Sequence, residues 1–103
     1  MTANGPVPTS AVRRGGDIFV RFEGIDGQLV TRSSLNPIAF EICGAGADSC
    51  RFANATVQGD GVAIDARDSS TVDRIRYCWG DAPVCNLYDS AGLPAGPFEI
   101  GVR

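Results

Sequence analysis

Asp17-Ile18-Phe19-Val20-Arg21-Phe22-Glu23 alternates residue by residue. Successive side chains of an extended chain point to opposite faces, so Ile18, Val20 and Phe22 fall on one side and Phe19, Arg21 and Glu23 on the other. A period of two in a run rich in β-branched and aromatic residues reads as a β-strand. The pattern recurs outward from this stretch. Gly24-Ile25-Asp26-Gly27 reads as a turn and residues 28–31 as a short strand. Ile38, Phe40 and Ile42 point one way, with Ala39 and Glu41 opposite. Gly44-Ala45-Gly46-Ala47-Asp48 turns the chain, residues 51–58 are another strand stretch, and Gly59-Asp60-Gly61 has the composition of a hairpin turn. Val62, Ile64 and Ala66 then face inward. Residues 74–79 alternate again, placing Ile75, Tyr77 and Trp79 on one face, and Phe98, Ile100 and Val102 close the chain.

Eight or nine short strands about ten residues apart, with no segment of helical period, predict an all-β fold. The expected architecture is a two-sheet β-sandwich, jelly-roll or immunoglobulin-like. The 103 residues make one domain. Thirteen Gly and six Pro suit a chain that turns often. Residues 1–8, with their prolines, read as the end of an interdomain linker, and residues 9–103 as the sandwich.

The chain has no His, and all nine basic residues are Arg. A Ser-His-Asp or Cys-His centre, a Schiff-base or P-loop Lys and His-ligated zinc are therefore excluded. A net charge of −3 argues against nucleic acid and anionic membrane as partners, because both demand a basic face. No apolar run is long enough to span a bilayer as a helix. The start, Met1-Thr2-Ala3-Asn4-Gly5-Pro6, has neither the basic region nor the apolar stretch of a signal peptide, so an export signal is expected on a longer parent protein.

Cys43 and Cys50, and Cys78 and Cys85, are both spaced C-x6-C. Zinc knuckles use shorter spacings, so two local disulfides fit better than a four-Cys metal site. Of the three pairings, Cys43–Cys50 and Cys78–Cys85 are preferred, because the segment inside each pair reads as a turn. Disulfides imply an oxidising compartment, hence a secreted, extracellular protein.

The segment from Tyr77 to Asp89 holds the sole Trp, both Tyr, two Asp and an Asn. A pyranose packs its C–H face on an aromatic ring and gives its hydroxyls to planar polar groups. Tyr77, Trp79, Asp81, Asn86, Tyr88 and Asp89 are thus the candidate carbohydrate-binding residues. A β-sandwich also buries a Trp at such a strand position, so Trp79 is open to either role. Asp81 with Asp89, or Asp60 with Asp65, are carboxylate pairs on paper, but Asp scattered over turns are normally solvated turn residues. The same oxygens leave a structural calcium ion open as the one cofactor, although no D-x-D-x-D-G loop is present. Asn54-Ala55-Thr56 is a glycosylation sequon. Phe19 is either an exposed aromatic or part of the packing on its own face.

The run Arg76-Tyr77-Cys78-Trp79-Gly80-Asp81-Ala82-Pro83, then Asn86-Leu87-Tyr88, then Gly92-Leu93-Pro94-Ala95-Gly96-Pro97-Phe98, resembles the C-terminal accessory β-domain of sialate O-acetylesterases. Gly5-Pro6, the strand at 18–22, Leu29 and Phe40-Glu41-Ile42 extend the resemblance over nearly the whole chain. No catalytic Ser-Gly-His set carries over, and Cys78 and Cys85 depart from the small residues of that family. The length and the Cys pairs instead look like a free-standing carbohydrate-binding module of bacterial endoglucanases. That resemblance implies a non-catalytic sandwich binding β-1,4- or mixed-linked β-glucans and cello-oligosaccharides on a rather flat face, and targeting a tethered glycoside hydrolase to plant polysaccharide. A monomer is expected. The alternative is a structural accessory domain of an SGNH-type carbohydrate acetylesterase.

Overall fold

The computed structural model describes residues 5–32, 36–44, 50–66, 72–79 and 85–103. Among these residues every regular element is a strand. In chain order they are β1 (Val7–Arg14), β2 (Asp17–Glu23), β3 (Leu29–Thr31), β4 (Phe40–Cys43), β5 (Arg51–Phe52), β6 (Ala55–Gln58), β7 (Gly61–Asp65), β8 (Arg74–Tyr77), β9 (Leu87–Asp89) and β10 (Phe98–Gly101). They form two four-stranded sheets, ordered β1-β2-β7-β6 and β10-β8-β4-β5, and a two-stranded ribbon, β3-β9. Every pairing is antiparallel.

The alternation read from the sequence decides what lies between the sheets. Ile18, Val20 and Phe22 from β2 and Val62 and Ile64 from β7 meet Phe40 and Ile42 from β4 and Ile75 and Tyr77 from β8 in one core. Leu29 and Leu87 of the ribbon join it. Phe22 of the first sheet meets Phe98 of the second edge-to-face at 5.7 Å, a geometry that adds to plain area burial. The sheets are tied at both margins. The Arg103 amide donates to the Ala11 carbonyl at 2.8 Å. At the opposite margin the β5–β6 corner is held from both sides, Ala53 N–H on Phe40 and Asp65 N–H on Asn54.

Phe19, on the outer face of β2, is packing and not an exposed platform. It is 7% exposed, the Arg14 guanidinium lies 4.3 Å from its ring centroid, and its ring occupies the space a Cβ on Gly61 would need.

Three boundaries differ from the sequence reading. The first sheet already begins at Val7, inside the stretch read as linker, and Gly5 and Pro6 are buried. Gly5 takes φ 82°, and a Cβ there would run into the Pro94 carbonyl, so this approach needs glycine. Ile38 does not share the inward face of Phe40 and Ile42, because Ala39 at φ 73° breaks the alternation. Trp79 likewise does not share a face with Ile75 and Tyr77. β8 ends at Tyr77, and Cys78 at φ 57° turns the chain. The amide of Cys78 donates to the Ala39 carbonyl at 3.1 Å, so the two left-handed residues end the β4–β8 ladder together.

Both expected disulfides are formed, Cys43–Cys50 and Cys78–Cys85. Non-reducing peptide mapping should recover these two links, whereas a Cys43–Cys78 link would contradict the structure. A closed loop of this length is worth on the order of 2.5 kcal/mol in the chain-entropy picture. Replacing both cysteines of one pair by serine should therefore lower Tm by roughly 10–20 °C.

Candidate functional site

The structure divides the six candidate residues into scaffold and surface. Tyr77 is 0% exposed. It points from β8 into the core, with its ring 4.6 Å from Phe40 and 5.6 Å from Phe98. Its hydroxyl accepts a hydrogen bond from the Leu87 amide at 3.0 Å. Burial pushes the phenol above its usual pKa, so it stays neutral across ordinary pH.

Asn86 is also buried. Its Oδ1 accepts from the Ile38 amide at 2.8 Å, and its Nδ2 donates to the carbonyls of Arg32 at 3.1 Å and Asn36 at 3.0 Å. The side chain thus pins the start of β9 to the segment leading into β4.

Asp89, 1% exposed, accepts from three amides: Ala91 and Leu93 on Oδ1, each at 3.0 Å, and Asp26 on Oδ2 at 3.1 Å. Burial alone raises a carboxyl's pKa, but these amide donors outweigh it and hold Asp89 below the usual carboxylate range. The structure thus places Tyr77, Asn86 and Asp89, expected as sugar contacts, inside the fold as supports. Their polar atoms are satisfied inside the fold and present no surface to a ligand. Asp81 lies outside the described residues.

Tyr88 and Trp79 remain at the surface. Tyr88 stands on the ribbon, half-buried, with the Arg32 guanidinium 4.1 Å over its ring and a β-bridge to Pro94. One face of that ring is thus already covered. Trp79 is 44% exposed. The turn at Cys78 carries it to the outer side of the sheet, where the Arg76 guanidinium lies 4.9 Å from its ring centroid.

That outer side carries a row of side chains that the strand register puts on one face. Glu99 on β10 is opposite Arg76 on β8, Arg76 is opposite Glu41 on β4, and Glu41 is opposite Phe52 on β5. Arg76 Nε donates to Glu99 Oε2 at 2.6 Å, and Arg74 Nε stands 3.1 Å from the same oxygen. The hydrogen bond from Arg76 holds Glu99 below its usual pKa. Arg74 Nη1 also donates to the Gly44 carbonyl at 3.0 Å. Phe52, at the far end of the row, is 70% exposed.

Sequence reasoning missed Phe52 because β5 is two residues long and offers no alternation to read. The available signal was negative, an aromatic outside any period-two run. Phe52 also overhangs a groove of about 690 Å³ whose walls include Pro37, Ile38 and Thr56. A neighbouring depression of about 470 Å³ is lined by Asp17, Asp65 and Asn54. Among the described residues no three Cys, Asp or Glu are grouped so as to hold a metal ion.

No protein-family model matches this chain, and no curated protein does. Among solved structures it resembles a carbohydrate acetylesterase from Xanthomonas citri, with 28% sequence identity and a TM-score of 0.81. The match covers 93% of this chain and 22% of that protein, so this chain spans about a fifth of its length.

Scaffold and surface roles separate in stability measurements. Tyr77→Phe strands the buried Leu87 amide and should cost about 1–2 kcal/mol, whereas Trp79→Ala should leave Tm nearly unchanged. Asp89→Asn should be less stable than the wild type at neutral pH. A carboxyl whose folded pKa lies below its ordinary 3.8 contributes its stability above that value and loses it as pH falls through the folded pKa. The gap between wild type and Asp89→Asn should therefore narrow as the solution is acidified below about pH 4. A gap independent of pH would show that the amide cradle does not favour the ionised form.

Proposed function

We propose that this chain is a non-catalytic accessory domain that binds β-1,4- or mixed-linked β-glucan and keeps an attached carbohydrate-active enzyme on plant polysaccharide. The observation that carries the reading is the match of nearly the whole chain to about a fifth of a carbohydrate acetylesterase. A unit of that proportion alongside a sugar-acting protein fits a module that serves the chemistry without performing it.

The residues support the same division of labour. With no His and no Lys, proton transfer and covalent catalysis would fall to carboxylates. Asp89 is fully engaged by backbone amides, and Asp60 pairs with Arg21 at 3.2 Å. What the surface offers instead is aromatic area beside fixed polar groups, the combination that holds a wet sugar. The gain to the parent enzyme would be proximity. A tether turns the encounter with substrate into an intramolecular one, at an effective concentration up to the millimolar range for a short linker. The two disulfides fit an extracellular setting.

The rival reading, an accessory domain that only orients an acetylesterase's catalytic part, rests on the same match but requires no affinity for glucan. Isothermal titration and affinity electrophoresis against barley β-glucan, cellohexaose, xylan, mannan and insoluble cellulose separate the two. Binding to the β-glucans with dissociation constants of about 10 µM to 1 mM, and weaker binding to xylan and mannan, is expected. No affinity for any glucan would favour the orienting role. The isolated domain should also turn over neither acetylated sugars nor β-glucan.

A further inference from the structure

Most exposed aromatic area of the described residues lies on one face of the second sheet, among charged side chains of both signs. Trp79 and Phe52 are 44% and 70% exposed. Between them, on the outer face of β8-β4-β5, stand Arg76 and Glu41, one positive group against one negative, with Glu99 and Arg74 flanking Arg76. Arg74 and Arg76 converge on Glu99. We infer that this face is the glucan site, and that its ligand is a neutral, linear β-glucan chain several residues long, lying across the strands from Trp79 to Phe52. The inference rests on the glucan-binding reading above and adds to it a place and a chain length.

Each feature bears on the ligand. Adjacent strands are about 4.8 Å apart, so β5 lies roughly 10 Å from β8. That span is wider than one pyranose ring, and a monosaccharide would reach one platform only. A carboxylate and a guanidinium offer paired acceptors and paired donors in a plane, which suits vicinal hydroxyls. Because the charges compensate, a uronate or phosphate polymer gains nothing from this face, whereas a neutral sugar chain loses nothing to it. The ion pairs also hold the polar groups in position, so less side-chain freedom is lost on binding. The ribbon offers less aromatic surface: Tyr88 is half-buried, whereas Trp79 and Phe52 are exposed.

The test is titration of wild type, Phe52→Ala, Trp79→Ala and Tyr88→Ala with cellohexaose and with cellobiose, each variant first confirmed folded by its Tm. Both platform variants should weaken cellohexaose binding about 5- to 50-fold, and Tyr88→Ala should bind within twofold of wild type. Cellobiose should bind wild type at least tenfold more weakly than cellohexaose and be little affected by whichever platform it does not occupy. The chain has one Trp, so cellohexaose should also change the intrinsic tryptophan fluorescence of the unmodified protein. Wild-type binding that survives both platform substitutions, with silent fluorescence, would overturn the site while leaving the glucan reading intact. Loss of binding in Tyr88→Ala alone would move the site to the ribbon. Absence of wild-type binding to any glucan would overturn both.

Discussion

The Tyr77 side chain ties three parts of the fold at once. Its ring lies against Phe40 and Phe98 of the two strands that flank β8, and its hydroxyl takes the Leu87 amide of the ribbon. A buried phenol is costly unless its oxygen is satisfied, and here the satisfying donor belongs to a different layer. The same residue marks where β8 stops. Immediately after it the backbone enters the left-handed region at Cys78, and the disulfide to Cys85 holds that turn next to the start of β9. Tyr77 goes in, Trp79 goes out, and the two aromatics two residues apart acquire opposite roles.

The outer face of the second sheet depends on this reversal. Were the strand to continue regularly, Trp79 would follow Ile75 and Tyr77 into the core, and the outer face would lose it as an exposed aromatic beside Arg76. With the turn, Trp79 stacks on Arg76, which is itself held by Glu99. The hydrogen bond from Arg76 lowers the pKa of Glu99 and so favours its ionised, paired form. The charges on this surface are thereby paired, which suits an uncharged polymer better than a charged one.

Much of this fold is legible in the sequence because period-two alternation is a direct image of burial. Ile18, Val20 and Phe22 are all inside, and so are Val62, Ile64 and Ala66. The local disulfides were legible because turn composition sits inside each Cys pair. Three kinds of information were not. A positive φ at Ala39 or Cys78 leaves no mark in residue type, yet it moved Ile38 and Trp79 to the other face. A strand of two residues has no period, so Phe52 gave no sign of its exposure. Asn86 and Asp89 spell the same whether solvated or buried, and their partners Ile38 and Asp26 lie 48 and 63 residues away. Polar residues in a loop-like segment resembled a site because an internal hydrogen-bonding role depends on the tertiary fold.

The central claim is that glucan lies across the outer face of the second sheet. Chemical-shift mapping of the 15N-labelled domain during titration with cellohexaose tests it directly, since every amide reports without substitution. The largest shifts should fall on the Trp79 indole and on the amides of Glu41, Phe52, Arg76 and Glu99. Shifts centred instead on Tyr88 and the β3-β9 ribbon, with those four residues unmoved, would contradict it.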